Sequence, residues 1–429
     1  MPEILSADWV LPVEGPPIPD GAVVIDNDRI AAVGPAAELG RGARYEEAAI
    51  IPGFVNAHSH LEYAVYAGFG DGLDFGPWIL LHIERKARLD LEQAEAIARL
   101  GAAQCLASGI TTVGDASFTG AAAHACADLG LRAIVYLEVF GRGTEGIAGR
   151  FAENRGRIED ALGDDVRLGV SPHAPYTCSA DLYVACLELG LPVATHLAES
   201  RAEQEWLAAG TGAWKPYADM LAAPIGETGI RHLARHGALD SSLTAAHCVM
   251  VDDEEIELLA RHDVAVAHCP RSNALLGCGI APLAALRAAG LRVGLGTDSP
   301  ASAPSFDMFD ELRAAVMGAR ARELRSDALS AAGALELATL GSARALGLDD
   351  EIGSLSAGKR ADLVIVSLTG SQYYPWEDPA AAVVFGGSPE RVEATLVGGK
   401  VRYERGVFEW HDLHRSAASA RARMLAPAP

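Results

Sequence analysis

Ile50-Ile51-Pro52-Gly53-Phe54-Val55-Asn56-Ala57-His58-Ser59-His60 is the stretch on which the fold turns. Its apolar run suits a strand buried on both faces. Side chains alternate along a strand, so imidazoles at i and i+2 share a face and can turn to one cation. A lone His-x-His pair is weak support, because such pairs also arise on surfaces by chance. The weight comes from four later strand-like runs that also end in His or Asp. Residues 166–172 lead to His173, and 191–195 lead to His196 with Glu199 three residues on. Residues 242–246 lead to His247, and 293–297 lead to Asp298.

Any one of these is readily explained as a hydrogen-bonded core group. Five strands sharing the same placement point instead to a common site. Strand patterns at 50–58, 110–115, 132–139, 166–173, 191–197, 242–248, 264–269 and 292–298 alternate with helical ones such as 91–100. Eight such units predict an α/β fold whose parallel sheet closes into a (β/α)8 barrel, with the active site at the C-terminal ends of the strands. Residues 1 to about 50 read as short β pieces, with Asn27-Asp28 as the turn of a hairpin. The segments 359–366 and 391–400 resume that style. The two ends are therefore expected to build one small composite β-sandwich domain. The resulting division is 1–50 and 351–412 for the small domain, 51–350 for the barrel, and a polar tail at 413–429, helical and fraying at Pro427.

The 429 residues are 50% hydrophobic, enough for a large core, and carry a net charge of −22. That acidity argues against nucleic acid or an anionic membrane surface as a partner. Seven cysteines, odd in number and without a C-x-x-C, make a poor disulfide framework and fit a reducing compartment. No charged-then-apolar leader appears, and no apolar run reaches the ~20 residues of a membrane helix. The expectation is a cytoplasmic protein with a small-molecule substrate, and a homodimer is ordinary at this size.

His58, His60, His196 and Asp298 supply three nitrogens and one oxygen, a donor set suited to zinc, with iron as the alternative. Such an ion lowers the pKa of water toward neutrality. Glu199, just past His196 in Thr195-His196-Leu197-Ala198-Glu199, is placed to take that water's proton and pass it to a ring nitrogen. His247 is read as steering the water or polarising the leaving group, and Asp298 as doubling as ligand and base. A second ion bridged by a lysine on the fourth strand is excluded. The four lysines are 86, 215, 359 and 400, and His173 stands on that strand instead. One divalent ion per chain is expected.

Over essentially its whole length the chain resembles the amidohydrolase superfamily. The carrying residues are 52–60, 195–199, Ala246-His247-Cys248, Gly296-Thr297-Asp298-Ser299 and the closing 353–363. Within it, 171–176 (Ser-Pro-His-Ala-Pro-Tyr) and 269–273 (Cys-Pro-Arg-Ser-Asn) are similar to the one-metal branch of adenosine-type, guanine and triazine aminohydrolases. That resemblance implies attack on a ring amidine carbon with release of ammonia, with His173 on the substrate and Asn273 as a further substrate candidate. Deaminases of S-adenosylhomocysteine and methylthioadenosine follow their Trp with a ribose-binding Glu, where this chain has Trp78 and then Ala87. The segment around Trp78, with His58-Ser59-His60-Leu61-Glu62, looks more like aminodeoxyfutalosine deaminases of the alternative menaquinone route. Their substrate is an adenine nucleoside bearing a carboxyphenyl group. Arg142, Arg150 and Arg271 are candidates for its carboxylate, and Glu62 and Glu84 for a hydroxyl or amino group. Other amino-heterocycles, among them guanine, cytosine, pterins and triazines, stay open as substrates.

Overall fold

The computed structural model describes residues 2–373 and 377–426, so the expected helix end at Pro427 lies outside the described residues. Eight strands pair side by side in sequence order: Phe54–Ser59, Ile110–Ser117, Arg132–Val139, Val166–Pro172, Val193–Leu197, Leu243–His247, Ala265–His268 and Val293–Leu295. All seven ladders between them are parallel. The ring closes where Ser59 bridges Asp298 and the Asp298 N–H donates to the His58 carbonyl at 3.0 Å.

Two residues make that closing seam. The Asn56 amide donates to Thr297 Oγ1 at 2.7 Å, and its Oδ1 accepts the Thr297 N–H at 2.9 Å. Gly296 lets the eighth strand approach the first. A Cβ there would meet the His58 Cβ at 2.9 Å and the His58 backbone at 3.0 Å. The N-terminal halves of the strands turn Val55, Ile134, Tyr136 and Ala194 onto Ala343, Leu346, Leu348 and Ile352. That end of the barrel is thus filled with apolar side chains, leaving the C-terminal end for polar groups.

The chain ends combine in a seven-stranded sheet. Its order across is Lys400–Glu404, Val392–Val397, Leu363–Ser367, Ala43–Pro52, Glu3–Val10, Ile18–Asp26, Arg29–Pro35. Every pair is antiparallel except Glu3–Val10 with Ala43–Pro52. Ile18–Asp26 and Arg29–Pro35 form the hairpin, with Asn27 at φ +57°, a conformation Asn tolerates well. The strand Ala43–Pro52 runs straight into the barrel through Gly53, so the sheet extends past residue 50. Within the expected polar tail, the described residues are helical as far as Leu425. The helix His411–Leu425 lies against Leu91–Ala107 and buries Ala417, Ala420 and Met424. The Ala-rich segment after Ser330 is helical in three pieces, broken by a wider turn at Leu337–Gly341.

Asp362 joins sheet to barrel. Its carboxylate accepts from Arg132 Nε at 3.2 Å, Arg132 Nη2 at 3.3 Å and the Gly398 N–H at 2.7 Å. The side chains of Arg132 and Asp362 are only 3% and 2% exposed. Removing Asp362 leaves the buried Arg132 guanidinium with only the half-exposed Asp165 as a partner, at a cost of up to about 3–5 kcal/mol. Asp362→Ala should therefore lower the unfolding free energy by about that amount in urea denaturation. A loss below about 0.5 kcal/mol, the range of an ordinary surface substitution, would show that the pair does not tie the units together.

No helix among the described residues is long and apolar enough to cross a membrane. All seven cysteines are buried and unpaired.

Candidate metal centre and active-site cavity

The C-terminal strand ends bring His58, His60, His196, His247, Glu199 and Asp298 together from four different strands and the loops that follow them. Backbone carbonyls set two of the imidazoles. The His60 Nδ1–H donates to the Ala116 carbonyl at 2.8 Å, and the His196 Nδ1–H to the His173 carbonyl at 2.9 Å. Each ring then keeps its proton on Nδ1 and turns a bare Nε2 inward. Those two Nε2 atoms lie 3.2 Å apart. His58 Nε2 is buried beside them with no partner among the described residues. Lone pairs facing one another at this distance repel, and a cation among them removes the conflict.

Asp298 completes the cluster. Its Oδ1 stands 3.6 Å from His60 Nε2 and 3.8 Å from His58 Nε2. Its Oδ2 accepts from Ser272 Oγ at 2.6 Å and Ser302 Oγ at 2.9 Å, which leaves Oδ1 free. Burial opposes ionisation of Asp298, yet His247, His60 and Ser272 together hold its carboxyl below the usual range. Burial first, then neighbouring imidazoles, keeps His58 well below its ordinary value, and burial also lowers His196. Neutral imidazoles around a carboxylate are the protonation states that a borderline divalent ion requires, so the residues present fit one.

Glu199 and His247 lie alongside. His247 Nε2 is 3.7 Å from Glu199 Oε1, and both join Asp298 in a second cluster. The turn carrying Glu199 is held from below. The Glu203 carboxylate accepts the N–H groups of Ala198 at 3.0 Å and Glu199 at 2.8 Å, with Ala198 at φ +52°. Burial, with Asp298 and Glu203 adding to it, pushes the Glu199 carboxyl well above its ordinary value. Burial pulls His247 down to about 3. The Asn273 amide donates to His247 Nδ1 at 3.0 Å, which puts the ring proton on Nε2, facing Glu199.

Above these groups opens a cavity of 930 Å³. Trp78, Glu62, His173 and Arg150 line it. The Trp78 indole N–H is anchored on the Ala301 carbonyl at 3.2 Å, and His173 Nδ1 is hydrogen-bonded to Thr177 Oγ1 at 2.9 Å. Glu62 Oε1 accepts from Ser117 Oγ at 2.5 Å and from the Thr119 N–H and hydroxyl at 3.0 and 2.9 Å, while Oε2 has only the Thr119 N–H at 3.3 Å.

Four expected substrate residues lie outside the lining, each for a visible reason. Glu84 points to solvent and pairs with Arg88 one helical turn on. Exposed Arg142 donates to the Leu221 carbonyl at 3.2 Å. Arg271 is consumed by Glu311 at 2.5 Å and by Ser305. Asn273 is buried against His247 and acts through it. The sequence reading missed Glu138, Lys86 and Glu203. Glu138 is the penultimate residue of the third barrel strand, so the strand-end rule that found the histidines would have found it too.

The family model described as the amidohydrolase family matches residues 49–402. The chain belongs to the amidohydrolase family. A second model, an imidazolonepropionase-like bacterial composite domain, matches residues 21–41. This amidohydrolase is 33% identical to the 5-methylthioadenosine/S-adenosylhomocysteine deaminase of Moorella thermoacetica, over 99% of each chain. It is 32% identical to the 5'-deoxyadenosine deaminase of Methanothermobacter thermautotrophicus, over 95% of this chain and 93% of that protein. Among solved structures, an adenosine deaminase from Xanthomonas campestris with bound zinc superposes with a TM-score of 0.88 at 30% identity, covering 99% of both chains. This amidohydrolase is accordingly a hydrolase of C–N bonds, with a histidine-rich site for a divalent metal.

Proposed function

We propose that His58, His60, His196 and Asp298 hold one zinc ion and that the enzyme deaminates 6-amino-6-deoxyfutalosine in the cytoplasm, as a step of menaquinone biosynthesis. The carrying observation is the convergence of three imidazoles and a carboxylate beneath a cavity that also presents Glu199 and His247. The bound ion supplies water activated at neutral pH.

The chain's own groups do the rest. Glu199 takes a proton from the attacking water and delivers it to N1 of the purine as water adds to C6. Burial, which raises the Glu199 pKa, makes its carboxylate a stronger base toward the water and lets it hold the proton until the ring nitrogen takes it. His247, with its proton on Nε2, hydrogen-bonds the oxygen that becomes attached to C6. Glu199 next carries the hydroxyl proton of that oxygen to the exocyclic amine, so the C6–N bond breaks and ammonia leaves as C6=O forms. His173 meets the ring edge away from the ion.

Two features support the futalosine-type nucleoside. Arg150 is the one of the three candidate arginines that lines the cavity, and its guanidinium lies 3.6 Å from the Phe118 ring centroid. Phe75, Trp214 and Tyr176 form an aromatic wall suited to a carboxyphenyl group. A second reading, deamination of methylthioadenosine or S-adenosylhomocysteine, is favoured by the names of the relatives. Both share the adenine nucleoside.

A substrate panel followed by ammonia release and loss of adenine absorbance tests this. The highest kcat/KM is expected on the carboxyphenyl nucleoside, then on methylthioadenosine. Turnover of guanine without turnover of any adenine nucleoside would overturn the proposal. Ser272 and Ser302 orient the free oxygen of Asp298, so the double Ser→Ala variant should weaken ion affinity about 10- to 100-fold in a competition with a chelator. Unchanged affinity would remove the two hydroxyls from the metal centre.

A further inference from the structure

Two charged side chains face the cavity with unused capacity. Glu138 is 3% exposed and lines the cavity near His173. Among the described residues no donor hydrogen-bonds its carboxylate and no cation pairs with it. Glu62, the other carboxylate on that side, already has Oε1 occupied by Ser117 and Thr119 and Oε2 shared with the Thr119 N–H at 3.3 Å. A buried carboxylate without donors is costly, so the site gains most from a ligand that brings its own.

Lys86 is the complement. It ends the helix Phe75–Lys86, whose Trp78, His82 and Lys86, four residues apart, all turn to the cavity. One of its three N–H groups donates to the Tyr63 hydroxyl at 2.7 Å, and its ammonium lies 3.6 Å from the Phe118 ring centroid. Burial pulls the Lys86 pKa down while Glu138 and Glu62 hold it up, so opposite charges face one another. They form no ion pair, so each keeps bonding capacity on the cavity they both line, one to accept and the other to donate.

Position selects that group. A carboxylate oxygen of Glu138 and ring nitrogens of His173 and His196 lie within 4.8 Å of one another. Glu138 thus lies on the His173 side of the metal centre. Adenine's only donor besides its sugar is the exocyclic amine, which sits at the ion; N3 and N7 only accept. A carboxylate, itself acceptor-only, has nothing to take from those edges. The next donors outward are the ribose hydroxyls.

We propose that Glu138 and Lys86 hold the 2′,3′-diol of the substrate's ribose, Glu138 accepting from the hydroxyls and Lys86 donating to them. This subsite rests on the adenine-nucleoside reading given above. It makes the enzyme select ribonucleosides over deoxynucleosides, whatever the 5′ substituent.

The test compares adenosine with 2′,3′-dideoxyadenosine on the zinc-loaded enzyme and on Glu138→Gln and Lys86→Met. The unaltered enzyme should favour adenosine by about 10²-fold or more in kcat/KM, since a site built for a hydroxyl rejects the analogue without it. Glu138→Gln should lose about 10²-fold on adenosine and stay within about threefold on the dideoxynucleoside. Lys86→Met should act in the same direction. Zinc content and the thermal midpoint of Glu138→Gln should match the unaltered enzyme. Equal losses on both nucleosides in both variants, or lost zinc, would mean a structural or metal-centre role and overturn the subsite. Equal turnover of the two nucleosides by the unaltered enzyme would overturn the subsite while leaving the nucleoside reading standing. Turnover of guanine or a triazine but of neither nucleoside would remove both.

Discussion

Glu199→Gln should cut turnover by about 10²- to 10⁴-fold while one ion stays bound per chain. The amide keeps the size and the backbone hold of Glu203 on the turn, so the geometry survives. It loses the ability to take a proton from water and return it to the ring. Since Glu199 is not among the proposed ligands, metal content should not change. The paired measurement separates roles: turnover reports proton transfer, and elemental analysis reports the ligand set. Near-normal turnover would take Glu199 out of the mechanism. Lost metal would instead move it into the coordination sphere.

His196→Ala should abolish both the ion and the activity. Its Nε2 lies 3.2 Å from that of His60, and its Nδ1–H is fixed on the His173 carbonyl, so no neighbour replaces it. Without the ion, water keeps its bulk pKa and hydroxide becomes scarce at neutral pH. A fall of about 10⁴-fold or more is expected, with metal content well below one per chain. Chelation followed by added zinc should restore the unaltered enzyme and not the variant. A His196→Ala protein with one tightly bound ion and ordinary turnover would place the metal elsewhere.

Much of this was readable along the chain because strand geometry is local. His58 and His60 share a face through the two-residue period of a strand. His173, His196 and His247 close apolar runs that occur as strands, and Asp298 follows the last of them. Glu138 obeys the same rule inside 132–139, where a single acid interrupts an apolar run. Lys86 gave no such signal. On a helix its spacing from Trp78 and His82 marks a face, and nothing in the sequence says that the face covers the barrel mouth.

The arginines show the limit in the other direction. Arg142, Arg150 and Arg271 look equivalent in one dimension, yet Glu311 consumes Arg271, the Leu221 carbonyl takes Arg142, and only Arg150 lines the cavity. Asn273 looked like a substrate contact and instead sets the tautomer of His247.

The sequence alone determined the barrel, the small sheet built from both chain ends, and the four residues that converge beneath the cavity. Periodicity and strand-end placement are properties of near neighbours, so they are written in the order of residues. The lining of the substrate cavity, the capture of Oδ2 of Asp298 by two serines and the unpaired charges of Glu138 and Lys86 were decided only by the tertiary structure. They depend on which loops fold over one another, and that is set by packing between segments far apart in the chain.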